Sequence, residues 1–192
     1  MKDRKGFYIA FIVVSIAVLG LSVAYAALST TLNIKFGSVT QNALSWDVGF
    51  VAGTVNAVVS GTSATGRSCG SATVTKSSVT VSNITLSKPG DKCTYTLPVK
   101  NSGDIAAKRS SITNTVPSSE CSSSGYMMNC GNIKYMLSSD SAGTTALGTN
   151  SGSLAAGSTE NIYLVVSYIG DSLNSSAVSQ TGAGFTIVYT QA

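Results

Sequence analysis

The chain has 192 residues, of which 10 % are charged and 43 % hydrophobic, with 19 Gly, 3 Pro and no His. So apolar and weakly charged a sequence falls outside the disordered class, and its length suits one domain with or without a tail. The lack of histidine excludes Ser-His-Asp and Cys-His catalysis, histidine-ligated zinc and a histidine pH switch together.

The N-terminus reads as a targeting segment. Met1 to Lys5 is basic, Phe7 to Val23 is free of charge and mostly apolar, and Ala24-Tyr25-Ala26 is a small-x-small junction. Cleavage between Ala26 and Ala27 divides the chain into a signal peptide, 1–26, and an exported domain, 27–192. It removes three of the 12 basic and one of the 8 acidic groups, which leaves a net charge near +2. That surplus is too small for nucleic-acid binding. Two other readings stand beside cleavage. Residues 7–28 are long enough to cross a bilayer as an uncleaved anchor. Lys5-Gly6-Phe7 ahead of an apolar run also has the form of a type IV prepilin leader, although Phe11 stands where such pilins carry Glu. All three place the remaining domain outside the cell or on its surface.

Four cysteines, Cys69, Cys93, Cys121 and Cys130, fit export, because disulfides persist beyond the membrane. Three pairings are open. Cys121–Cys130, closing a short loop, and Cys69–Cys93, tying two strand regions, are the favoured set. No Cys-x-x-Cys spacing offers a zinc site.

From Thr31 onward the texture predicts an all-β fold. Apolar residues alternate with polar ones in Leu32-Ile34-Phe36, Leu44-Trp46-Val48-Phe50, Tyr95-Leu97-Val99, Ile133-Tyr135-Leu137, Ile162-Leu164-Val166-Tyr168 and Phe185-Ile187-Tyr189. Val79-Val81 leads to Ile84-Leu86 through a break at Ser82-Asn83, read as a bulge. Alternation gives each strand one dry face, and two sheets over one core satisfy them all. The expected architecture is a two-sheet jelly-roll or Ig-like β-sandwich of roughly eight to ten strands, preceded by an N-terminal hydrophobic helix. Pro98 inside a strand predicts a sheet edge or a bulge there.

The connections carry three further expectations. Gly61 to Gly70 is a small polar loop. Ser118 to Gly131 is a disulfide-pinned excursion whose Tyr126, Met127 and Met128 either form a contact patch or fold back onto the body. Ser139 to Ser158 is a Gly- and Ser-rich hairpin connection.

The most distinctive stretch is Leu86-Ser-Lys-Pro-Gly-Asp91, a strand, then Val99-Lys-Asn-Ser-Gly-Asp-Ile-Ala-Ala107. Pro89-Gly90 presets a type II turn that Asp91 can cap. This pattern resembles the camelysin and TasA-type exported proteins of Gram-positive bacteria. So do the junction Ala24-Tyr25-Ala26-Ala27-Leu28-Ser29, similar to signal peptides cut by a SipW-type peptidase, and the Glu160-Asn-Ile-Tyr-Leu-Val-Val166 run. The resemblance implies a secreted jelly-roll domain that assembles into extracellular fibres of a biofilm matrix. Its camelysin side implies protease activity.

The residues suggest how such a fibre would form. Once the leader is gone, Ala27 to Phe36 is a free alternating strand. It can pair with a sheet edge of the next subunit, with Leu32, Ile34 and Phe36 setting the register. A head-to-tail contact that does not close gives a filament. The partners expected are copies of the same chain, other matrix or cell-surface proteins, and the membrane through residues 7–28 before cleavage. A membrane-anchored adhesin, a pilin-like subunit and a protease are the alternatives. No catalytic, cofactor or metal residues are assigned. Asp47, Asp91, Asp104, Glu120, Asp140, Glu160 and Asp171 are scattered and read as turn or solvated surface charges.

Overall fold

The computed structural model describes Ser15 and residues 44–61, 66–117, 121–149, 152–170 and 182–192. The chain divides into two compact units, Met1–Asn42 and Ala43–Ala192. The cleavage pair Ala26 and Ala27, the apolar run 7–28 apart from Ser15, and the run carrying Leu32, Ile34 and Phe36 lie outside the described residues.

The second unit is all-β. Its strands are β1 (Val48–Phe50), β2 (Gly53–Val55), β3 (Val58–Ser60), β4 (Ala72–Val74), β5 (Val79–Val81), β6 (Lys92–Asn101), β7 (Ala107–Thr115), β8 (Cys121–Ser124), β9 (Met127–Cys130), β10 (Ile133–Ser138), β11 (Thr159–Tyr168) and β12 (Gly184–Gln191). The large sheet runs β1-β6-β11-β10-β9-β8, with β3 also on β6; β2-β4-β5 and β12-β7 form two smaller sheets. All pairings are antiparallel.

Register explains the core. Leu97 lies opposite Ile162, Tyr95 opposite Leu164 and Cys93 opposite Val166. Leu164 faces Leu137, Val166 faces Tyr135, and Tyr135 in turn faces Met128. Because side chains alternate, these residues share one side of the large sheet. That side is the apolar one, and Ala72 and Val74 of β4 and Ala107 of β7 join its buried cluster.

Pro98 sits in the interior strand β6, between a register with β3 at Lys92–Thr94 and one with β1 at Val99–Asn101. Its carbonyl accepts the Val51 N–H at 2.9 Å, so the side of Pro98 that lacks an N–H faces the gap between these two partners. The expected edge is thus a local one, inside a strand that is otherwise paired on both sides.

The β4–β5 turn is fastened to β1: Phe50 donates its N–H to the Lys76 carbonyl at 2.9 Å, and the Lys76 ammonium pairs with Asp47. Both disulfides are present, Cys69–Cys93 and Cys121–Cys130. Cys121 and Cys130 are direct register partners with Cα atoms 4.3 Å apart, the close spacing of a non-hydrogen-bonded antiparallel pair.

Several expectations are corrected. The Leu44-Trp46 half of the second run is not strand, and pairing begins only at Val48. The Ser82-Asn83 break holds no continuing strand. Asn83 takes a φ of 59°, and the segment beyond it keeps one bridge, Thr85 to Ser68. The 139–158 connection is more than a surface link, since Leu147 and Leu154 are buried in the core. Among the described residues there are twelve strands, paired in three hydrogen-bonded sheets, against an expected eight to ten.

Candidate functional site: an apolar cleft and its braces

A cleft of about 1650 Å³ opens on the apolar side of the large sheet. Its floor is Leu97 and Val99 of β6, Leu164 and Val166 of β11, and Tyr135 and Leu137 of β10. Val79, Val81, Ile84 and Leu86 line it from β5 and the segment that follows, and Phe185, Ile187 and Tyr189 line it from β12. These seven side chains are half-buried, with apolar surface left open to the cleft. Lys76 is the one charged residue among the described lining. Among the described residues, β5 pairs only with β4 and β12 only with β7, so each strand has a second edge without a partner strand.

Polar braces hold this cleft. At one end Glu160, on the floor side of β11, receives Arg109 of β7 at 2.9 Å and the Tyr189 hydroxyl of β12. Arg109 is buried and also donates from Nε to the Gly148 carbonyl at 3.0 Å. Burial and the bond to Glu160 push the Tyr189 phenol above its ordinary range. Glu160 is thus no solvated surface charge: it joins two sheets. A buried arginine needs such a partner, because an unpaired interior charge costs several kcal/mol.

At another edge lies the Pro-Gly-Asp turn. Asp91 donates its N–H to the Lys88 carbonyl at 3.0 Å and Gly90 has a φ of 88°, which makes the expected type II turn. The Asp91 carboxylate caps this turn as expected, and it is fully buried. It accepts the Ser87 and Lys88 N–H groups at 2.9 and 3.0 Å, with the Arg67 guanidinium 3.7 Å away. Gly90 donates to Tyr168 O and Tyr168 donates back to Asp91 O, which stitches the turn to the end of β11.

Asn101 is the third brace. Its side-chain amide donates to Ile105 O at 2.8 Å and Leu154 O at 3.0 Å, while its oxygen accepts the Gly103 N–H at 3.1 Å. Every capacity of that buried amide but one lone pair is used. Gly103 is required for close approach, since a Cβ there would lie 2.5 Å from Ser45 O and 2.6 Å from Asp47 N. The resulting loop grips residues 45–47: Ser102 and Gly103 donate to Asp47 O, Asp104 donates to Ser45 O, and the Asp104 carboxylate accepts the Ser45 N–H and hydroxyl at 3.0 and 2.7 Å. The Ser45 backbone N–H and then its hydroxyl lower the Asp104 pKa.

The three residues proposed as a contact loop are placed otherwise. Tyr126 is in the turn between β8 and β9, half-buried against the core; Met127 is half-buried; Met128 is fully buried and lines the cleft. They fold back onto the body and present no common exposed patch. Glu120 and Asp171 lie outside the described residues. Among the described residues no three His, Cys, Asp or Glu side chains group as a metal site. Sequence reasoning missed Arg109, whose only signal is a long basic side chain at an alternate position of a strand poor in large apolar residues.

Comparison with protein-family models, curated proteins and solved structures finds no match at a significant level.

Proposed function

We propose that this chain is an exported structural subunit of an extracellular fibre or biofilm-type matrix, assembling by strand donation. The observation that carries the reading is the cleft lined by β5 and β12, each of which has a second edge without a partner strand among the described residues. In this reading β2-β4-β5 and β7-β12 are two parts of one layer facing the large sheet, so that the body is a two-layered β-sandwich of the jelly-roll or Ig-like kind with one strand position vacant. The occupant is residues 27–36 of a second copy. Their alternating Leu32, Ile34 and Phe36 supply three large apolar side chains to the floor, and the donor backbone satisfies the edges of β5 and β12. A small ligand suits the site less well, because the cleft is larger than the roughly 300–1,000 Å³ typical of such pockets.

Two further features support export and this role. Two disulfides fit the oxidising space outside the membrane. The Pro-Gly-Asp, Val-x-Asn-x-Gly and Ala-Tyr-Ala-Ala-Leu patterns resemble those of TasA-type matrix proteins. The leader keeps the donor strand joined to an apolar run until cleavage after Ala26, which confines assembly to the outside.

The test compares the chain beginning at Ala27 with one beginning at Ser38 by electron microscopy and sedimentation. Filaments from the first alone, with the second accepting a peptide of residues 27–37, are expected. Equal assembly of both chains rules out donation by this segment.

A further inference from the structure

Leu44 and Trp46 are large apolar side chains left in water, 67 % and 44 % exposed. They occupy alternate positions of a segment that is not strand, and yet that segment is fixed. The Ser102–Asp104 loop grips the backbone of Ser45 and Asp47 through four hydrogen bonds and the Ser45 hydroxyl through a fifth. Single exposed apolar groups are ordinary on a protein surface; what sets these two apart is that they stand two residues apart on a backbone held rigidly by the body, which presents them for contact.

Their place in the chain says what covers them. Seven residues, 37–43, join Phe36 to Leu44. Fully extended, the eight steps from Phe36 to Leu44 reach at most about 29 Å. Under the strand-donation reading, on which this inference rests, Phe36 is seated in the cleft of the next subunit. Leu44 of the donor then stands within that reach of the acceptor's cleft, with Trp46 two residues further on.

We infer that Leu44 and Trp46 form a second contact between successive copies, a collar packed on the rim of the acceptor cleft. The donated strand supplies backbone pairing, and the collar fixes the angle between neighbouring bodies. Removing either side chain weakens filaments without altering the subunit, because neither belongs to its core.

Trp46 is the chain's single tryptophan, so it reports on its own burial. The experiment uses protein exported from the full-length precursor. Trp46 fluorescence and its quenching by acrylamide are followed as filaments form, alongside Leu44→Ser, Trp46→Ser and a triple variant, L32S/I34S/F36S. The expected result is a shift of emission to shorter wavelength with reduced quenching on assembly, both lost in the triple variant. Each collar substitution raises the critical concentration about tenfold, the change expected on losing one buried large apolar side chain. Filaments that need Leu32, Ile34 and Phe36 but leave Trp46 as quenchable as in the monomer overturn the collar and keep the donation. Absence of filaments, or filaments in the triple variant, overturns the donation and the collar with it.

Discussion

Arg109 and Tyr189 are cross-strand partners in β7 and β12, and both side chains converge on Glu160 of a different sheet. One carboxylate therefore fixes where the β7-β12 ribbon lies over the large sheet. The arginine is almost fully buried while the carboxylate keeps some contact with water, so the pair depends more on Glu160 being there than on any net attraction.

Glu160→Ala leaves that guanidinium without a counter-charge, and the expected loss is about 3 kcal/mol. Glu160→Gln keeps one oxygen to accept from Arg109, and its amide N–H can donate to the Tyr189 hydroxyl, so it costs less, about 1–2 kcal/mol. Denaturant unfolding of the disulfide-intact protein measures both. An E160A chain as stable as the parent means that the ribbon is held by packing alone.

Asn101→Ala removes three hydrogen bonds but leaves Leu154 O with the Ala107 N–H and the Gly103 N–H with Asp47 O, so the expected cost is about 1–2 kcal/mol. Gly103→Ala brings a Cβ against Ser45 O and Asp47 N. Amide exchange at residues 45–47 then rises, while exchange in β6 and β11 is unchanged. Uniform exchange across all three would show that the grip on Ser45 and Asp47 does not act locally.

The two disulfides differ in worth. Cys69–Cys93 spans 24 residues and Cys121–Cys130 spans 9. Loop entropy assigns the first about 3.5 kcal/mol and the second about 2.7. The second gains less still, since its partners are already opposed in one hairpin. Paired Cys→Ser variants, compared by thermal unfolding, check that order. A larger loss at the hairpin would contradict it.

Stability falls at both ends of the pH scale. Burial pushes the Tyr95 phenol up to about 12, and Tyr189 is raised as well. A raised folded pKa gives stability that is whole below the unfolded value near 10 and is lost as pH climbs through the folded one. Asp104 and Asp140 are lowered, by the Ser45 and Thr144 backbone N–H groups first. Their contribution is present above the usual carboxylate range, near 3.8, and is lost as pH drops beneath it. Asp140→Asn flattens the acid limb and leaves the alkaline one alone. Urea midpoints from pH 2 to 12 test this, and an unchanged acid limb in that variant assigns it to other groups.

The long strands were legible because a single face of each is dry. Tyr95-Leu97-Val99, Ile162 to Tyr168 and Ile133-Tyr135-Leu137 alternate in sequence as they pack in space. β7 was not legible, since its inward positions Ala107 and Arg109 are a methyl group and a cation. Arg109 becomes an interior residue only through Glu160, 51 positions away, which no local window contains. The same dependence hid Glu160. Three-residue strands such as β2 and β3 are too short for a period to register. The Cys69–Cys93 and Cys121–Cys130 pairings were correctly favoured. The Pro-Gly-Asp turn was fully readable, because φ preferences and a capping carboxylate act within a few residues. Leu44-Trp46 misled for the opposite reason: alternation shows that two side chains share a side, not that this side is covered.

Pro98 settles a question of bookkeeping along β6. β1 and β3 dock on the same flank of one strand, and two short neighbours of similar composition could slide into each other's berth. The imide ring between them offers a carbonyl and no hydrogen, so a ladder extended from either direction loses a rung there. It works as a stop, keeping each neighbour at its own end. Substituting Pro98 by a residue with an amide hydrogen removes that stop and invites frame-shifted isomers of the same subunit.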